Sequence, residues 1–215
     1  MFLKNLVDGI LSGAIIALGA IGLSFTMRIL RFANFSHSEL LTWGAYFAVI
    51  FFTIFASFGD AFGKPIAPFS FGWPLLLSLI FSAAATSILA LLLHRFVFRR
   101  LSRMAGHMTM VFASFGIALL LRNLVHLFFG ADPVYYSTAL QFAILLPGGV
   151  RVMPDQVFVL GLAVVIVIGL HLFLTRSRTG ISMRAVAENP DLARVSGVNT
   201  ATIIAWVWII GASGA

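Results

Sequence analysis

The sequence predicts an all-α, polytopic helical membrane protein with five complete transmembrane helices and the start of a sixth. Three observations carry that prediction. Of 215 residues, 60% are hydrophobic and only 10% charged, against about 25% charged in soluble domains. Mean hydropathy is +1.05. Five stretches reach the roughly 20 apolar residues needed to cross a hydrocarbon core at about 1.5 Å rise each. This balance rules out a soluble enzyme, which would lack charge to coat its surface, and a disordered chain, which needs the opposite composition. The absence of cysteine excludes a disulfide scaffold, a thiolate metal site and a cysteine nucleophile.

The first stretch runs from about Leu6 to Met27. It is longer than a signal-peptide core and Lys4 is offset by Asp8, so it reads as a retained span. Its small-residue stripes, Gly9, Gly13, Ala17 and Gly19, Gly22, suit close helix packing. The second stretch is Leu40 to Phe58, and the third, Trp73 to Leu93, holds no charge. The fourth, Met108 to Phe129, contains Arg122 and His126, four apart and so on one face near its outer end. They read as snorkelling or packing against a neighbouring subunit, or as contacts to a substrate carboxylate. The fifth is Gln156 to Leu174. A sixth begins near Ala201 and reaches only about 22 Å before Ala215, which suggests a chain cut inside a span. The 22 phenylalanines suit lipid-facing and core positions, and Trp73, Trp206 and Trp208 suit interface anchoring. Between the fourth and fifth spans, Pro147-Gly148-Gly149 separates Phe142–Leu146 from Val150–Met153, predicting a small hairpin or lid.

The connections after spans one, three and five carry Arg28, Arg31, Arg95, Arg99, Arg100, Arg103, Arg176, Arg178, Arg184 and Arg194, ten of the 14 basic side chains. Lys4, Lys64 and Arg151 fall on the other side. The positive-inside rule places the arginine-rich loops in the cytoplasm and the N-terminus outside. The net charge of +7 is therefore a topology signal. A nucleic-acid face would need interleaved aromatics and base-contacting groups on a folded basic surface, which the pattern lacks.

Two polar segments stand out. Asn34-Phe35-Ser36-His37-Ser38-Glu39 lies between the first two spans. It reads either as a turn with Ser36 or Ser38 as N-cap and Glu39 in the first helical turn, or as a helix discontinuity lining a solute path, with His37 and Glu39 as contacts. As metal ligands, two groups at i, i+2 are a weak match. The second segment, 176–200, predicts two short helices. One covers roughly Ile181 to Glu188. The other has Asn189 as cap, Pro190 at the first helical position, Asp191 at the positive dipole end and Gly197 at the left-handed stop. Leu192 and Val195 share a face and Arg194 lies elsewhere. A rigid capped element suits docking in a partner's groove, or lying on anionic lipid with its arginines outward.

Residues Thr179-Gly180, Arg184-Ala185-Val186-Ala187-Glu188, Ala193 and Gly197-Val198-Asn199 resemble the cytoplasmic coupling motif of branched-chain amino acid ABC transporter permeases, the LivH-type subunit. That family commonly shows Asn-Phe-Ala-His-Gly-Glu followed by a Gly-Ala-Tyr-like triplet. This chain has Asn34, Phe35, His37 and Glu39 in register, then Gly44-Ala45-Tyr46, and departs at Ser36 and Ser38. The resemblance runs through the whole chain in span order.

It implies a single permease domain over 1–215 in a bacterial inner membrane, with 176–200 as the cytoplasmic coupling loop. Gly180, Arg184, Ala185, Glu188, Asn189, Ala193 and Gly197 would couple to an ATPase subunit, and Asn34, His37 and Glu39 would lie near the translocation path. Arg122 and His126 would meet substrate or the second permease. The implied partners are two ABC ATPase subunits, a second related permease, a periplasmic substrate-binding protein and the lipid bilayer, with no nucleic acid, cofactor, metal or catalytic residue. Consistently, there is no G-x-x-x-x-G-K-[ST] loop: Gly63-Lys64 is followed by Pro65. Urea or a short amide is the alternative cargo. An ATP-independent channel or secondary transporter would want ionisable groups inside spans as ion or proton sites, and Arg122 and His126 are the pair that stands out there. An intramembrane enzyme built on His37, Glu39 or His94 would need a nucleophile or metal set, and neither G-x-S-x-G nor H-E-x-x-H occurs.

Overall fold

The computed structural model describes residues 2–58, 66, 69–104, 106–130, 132, 144–146 and 150–214. Its helices are α1 (Phe2–Leu30), α2 (Ser36–Ala56), α3 (Trp73–Leu93), α4 (Arg99–Met104), α5 (His107–Phe129), α6 (Pro154–Arg176), α7 (Arg178–Glu188), α8 (Pro190–Val195) and α9 (Thr200–Ser213). A π-helical turn, His94–Phe98, joins α3 to α4. Five helical segments are long and apolar enough to span a bilayer, namely Asn5–Leu30, Ser36–Ala56, Trp73–Ser102, Met108–Phe129 and Pro154–Arg176, and Thr200–Ser213 is a shorter apolar helix. The chain is thus a multi-pass helical membrane protein, as the hydropathy pattern predicts.

Helix ends differ from the hydropathy boundaries because capping, not apolarity, sets them. Pro154 opens α6 at its first position, where the missing N–H costs nothing. Asp155 binds Ser70 through the Ser70 amide at 3.1 Å and through its hydroxyl. The predicted outer hairpin exists as a two-stranded antiparallel ladder, β1 (Ile144–Leu146) with β2 (Val150–Val152), pairing Ile144 with Val152 and Leu146 with Val150. Its Pro147-Gly148-Gly149 tip lies outside the described residues, as does Lys64. Val152 is buried against Leu11, with Val7 and Leu160 beside them.

α3 is the hub, packed against both α2 and α9, while α1 packs on α6 and α9 and α2 on α5. The buried face of α3 is small and weakly polar: Ser78, Ser82, Thr86, Ser87 and Ala90. Such residues let backbones approach closely in a membrane, where hydrocarbon gives no reason for apolar side chains to leave lipid. Ser87 Oγ also donates across to Ile209 O of α9 at 3.1 Å. Trp43 Nε1 of α2 donates to Leu121 O of α5 at 3.1 Å.

Of the small-residue stripes on α1, part is used in packing among the described residues. A Cβ at Gly22 would lie 2.9 Å from His37 Nε2 and 3.3 Å from Gly211 O, so Gly22 and Gly211 form the tight crossing of α1 with α9. A Cβ at Gly19 would rest 3.4 Å from Leu41, and one at Gly9 or Gly13 would meet nothing within 4 Å among the described residues.

The expected anchoring role fails for Trp208, which is 2% exposed. Its ring stacks on Phe98 at 4.9 Å and lies 5.8 Å from His94. The π turn accounts for this. An extra residue in the turn rotates the downstream helix about its axis, bringing Phe98 inward onto Phe32 and Trp208. Trp73 and Trp206, by contrast, are exposed.

The connections after the first, third and fifth spans meet at one end. Phe32 contacts Phe98, Ser114 Oγ near the start of α5 donates to Ala33 O at 3.2 Å, and Arg31 bonds to the end of α7. The Ser70–Asp155 bonds link the connections after spans two and four. The arginine-rich loops thus share an end, as alternating spans require.

Candidate functional site

The segment 34–39 is not capped by Ser36 or Ser38 as the turn reading expects. α2 begins at Ser36 with Phe35 in the cap position and no side-chain cap bond. Ser36 Oγ, a cap candidate in sequence, instead donates to Asn34 Oδ1 at 2.6 Å, and Ser38 Oγ returns to Phe35 O at 2.9 Å. The Phe35 amide donates to Ser114 Oγ at 3.2 Å, so α5 supplies the missing partner.

Asn34, Ser36 and His37 are buried at 0–2% exposure. Asn34 Nδ2 has no hydrogen-bond partner among the described residues, and His37 Nε2 has none of full hydrogen-bond geometry, with the Gly19 backbone the group that interacts with its ring. Buried polar atoms are nearly always paired, so an unpaired amide beside a weakly satisfied imidazole in one short segment marks it out. Glu39 is half-buried, and two positions along α2 set it about 200° around the helix from His37. The structure therefore brings Asn34 and His37 inward together but does not join Glu39 to them. His37 and Ser38 line one side of a cleft of about 520 Å³ with Gly19, Leu23, Leu41 and Gly214.

The second site is the α7–α8 hairpin, and here the terminal signals read in the sequence act as expected. Asn189 Oδ1 accepts from the amides of Asp191 (3.1 Å) and Leu192 (3.0 Å), and Pro190 takes the first helical position. Gly197 adopts φ +86. Its amide donates to Arg194 O and that of Val198 to Ala193 O, both at 3.0 Å. These two bonds make a Schellman stop. One cap was missed: Ser177 Oγ accepts from the Gly180 amide at 2.9 Å, which starts α7 three residues before the predicted Ile181.

Burial sorts the expected coupling residues into two sets. Gly180 and Ala193 face inward, and Met183 and Val186 beside them are buried with Phe25, Ile29, Ile203 and Val207. Burying such side chains contributes about 1.5–3 kcal/mol each, so α7 is seated on α1 and α9. Gly180 is required there, since a Cβ would collide with Phe173 O and lie 2.6 Å from Leu174 Cα. Arg184, Ala185, Glu188, Asn189 and Gly197 are exposed. So are Ile181 (49%), Leu192 (65%) and Val195 (86%). The Asp191–Arg194 ion pair, 3.5 Å, lies on this outer side.

A residue the sequence reading did not single out ties the two sites together. Arg31 leaves α1 with φ +60 and its Nη2 donates to Ala187 O (3.1 Å) and Glu188 O (2.7 Å). Nothing in a single sequence signals a contact across 156 positions.

Arg122 and His126 share the exposed side of α5, whereas Ala118, Leu121 and Val125 of the same helix are buried. They are not brought to Asn34 and His37. No group of three or more His, Asp or Glu able to hold a metal occurs among the described residues.

The chain as a whole is similar to known proteins. The chain is 29% identical over 225 residues to the high-affinity branched-chain amino acid transport system permease protein BraD of Pseudomonas aeruginosa, covering 99% of this chain and 67% of that protein. It is 24% identical over 218 residues to the permease protein LivH of Escherichia coli K12, with the same coverage, and 24% over 216 residues to LivH of Salmonella typhimurium. No solved structure matches the chain. Residues 5–215 match the family described as branched-chain amino acid transport system / permease component, and the chain belongs to that family.

Proposed function

We propose that this chain is the transmembrane permease subunit of an ABC importer for branched-chain amino acids in a bacterial inner membrane. Residues 1–215 belong to one permease domain, with the N-terminus outside and the arginine-rich end in the cytoplasm. Two ATPase subunits supply the energy, a second related permease completes the path, and a periplasmic binding protein delivers substrate. The names of the relatives, high-affinity branched-chain amino acid transport system permease proteins, support the cargo.

The observation that carries the mechanism is the hairpin. Its large apolar residues Met183 and Val186 are spent against the bundle, leaving a rigid outer face of Leu192, Val195 and charged neighbours. A hairpin meant to lie on lipid would turn its best apolar side to the bilayer. An outward face built this way fits a groove on an ATPase subunit. Closure of the ATPase pair would push on Leu192 and Val195. Because α7 is seated on α1 and α9 and bonded by Arg31, the push reaches the Asn34–His37 segment as a rigid-body movement. Asn34 Nδ2 and His37 Nε2 are then polar groups beside the path, with Glu39 at its edge, able to meet a polar solute that passes.

The test is radiolabelled leucine uptake with all subunits expressed together, competed by isoleucine, valine and urea. Competition by the amino acids is expected. Competition by urea instead would move the cargo to the urea and amide class, and uptake without ATP would remove the importer reading.

A further inference from the structure

α1, α6 and α7 line a second, open cleft, of about 430 Å³. Its walls include Ala17, Ser24 and Arg28 of α1, Leu170 and Leu174 of α6, and Arg184 of α7. Four properties of this cleft belong together. From Ala17 to Arg28 it follows α1 for about 16 Å at the helical rise, the depth of one leaflet of a roughly 30 Å hydrocarbon core. Small residues, Ala17, Ala20 and Ser24, open it along that length. Both cations line it: Arg28 in the last turn of α1, and Arg184 from α7 beyond the end of the fifth span. Neither guanidinium has a hydrogen-bond or ion-pair partner among the described residues, and the lining holds no acidic side chain.

We propose that this cleft binds one anionic phospholipid, its acyl chain lying along Ala17 to Phe25 against Leu170 and Leu174, and its phosphate at Arg28 and Arg184. Guanidinium groups recognise phosphate oxygens by paired N–H donors, and basic pockets between spans at the arginine-rich end are suited to lipid headgroups. A zwitterionic amino acid fits poorly, because its ammonium would sit beside two arginines with no carboxylate to receive it. The proposal rests on the importer reading only for which leaflet the lipid occupies.

Native mass spectrometry of the purified protein in mixed micelles tests it, with neither ATPase subunit nor amino acid present. Phosphatidylglycerol should be retained over phosphatidylcholine of the same chains by on the order of tenfold. The R28A/R184A variant should bring the two lipids to parity with helical content unchanged, and Arg28→Lys with Arg184→Lys should keep a reduced preference. Ala20→Phe, which fills the cleft, should lower phosphatidylglycerol retention with both arginines intact. Glycerol 3-phosphate, the headgroup without chains, should not compete. Equal retention by the unaltered protein, a preference that survives R28A/R184A, or displacement by glycerol 3-phosphate would each overturn the proposal. So would a photocrosslinker at Ala20 that captures another protein in membranes and no lipid. No transport is read, so a negative result here leaves the importer reading standing.

Discussion

Arg31 Nη2 lies 2.7 Å from the carbonyl oxygen of Glu188, at the last residue of α7, and 3.1 Å from that of Ala187. The last carbonyls of a helix lack intrahelical partners and carry its negative dipole end, so a guanidinium there satisfies both needs. The bond joins the hairpin to the turn that leads into Asn34, three residues on.

Arg31 also sits at φ +60, uncommon for a residue with a side chain. Arg31→Gly therefore keeps the left-handed end of α1 and removes the bond. The expected loss is about 0.5–1 kcal/mol, the scale of an exposed cation at a helix end. Hydrogen exchange of the α7 amides should quicken while α1 is unchanged. Leucine uptake should fall with ATPase-subunit co-purification retained.

Gly180 and Gly197 are both glycines of the hairpin, yet the structure separates them. Gly180→Ala places a methyl against the backbone of Phe173 and Leu174, which must move. Overpacking of this kind costs about 1–3 kcal/mol, and the seat of α7 should loosen. Protease cutting after Arg178 or Arg184 should reveal it, with membrane insertion intact.

At Gly197 a Cβ would meet nothing within 4 Å, so only the backbone at φ +86 resists substitution. Gly197→Asn, which tolerates the left-handed region, should retain ATPase-subunit association. Gly197→Val should weaken it. Equal loss in both variants would show that the backbone conformation is not what matters there.

Gly22→Ala should act at a distance from the hairpin. The new methyl would lie 2.9 Å from His37 Nε2 and 3.3 Å from Gly211 O, pressing on the α1–α9 crossing. Uptake should fall without loss of ATPase-subunit association. Gly13→Ala, with no described residue within 4 Å of the new methyl, should leave both unchanged.

Much of this was legible in the sequence because its causes are local. Span count comes from apolar length, and the second hairpin helix from Asn189, Pro190 and Gly197, whose roles depend on neighbours within a few residues. What escaped depends on distant partners. Ser36 could have capped α2, but Asn34 competes for its hydroxyl and Ser114 supplies the Phe35 amide. Trp208 looked like an anchor because its position in a span is all that sequence offers. A π turn over a hundred residues earlier put Phe98 in its way. The coupling motif read as one set of residues, and only packing divides it into buried Gly180 and Ala193, exposed Ala185 and Glu188, and Arg184, which is exposed at the edge of the α1–α6–α7 cleft. The unpaired amide of Asn34 and the weakly satisfied imidazole of His37 likewise become visible only once the elements around them are placed.

Orientation has a separate test. A cysteine replacing Ser177 should react with an impermeant reagent in inverted vesicles and not in intact cells. The chain has no native cysteine to confuse the result.

The central claim is that the outer face of the α7–α8 hairpin docks an ATPase subunit. A photocrosslinker at Val195, 86% exposed, tests it most directly in membranes containing all the subunits. The account predicts an adduct with an ATPase subunit whose yield changes when ATP is bound. An adduct with lipid alone, from protein that still transports leucine, would contradict it.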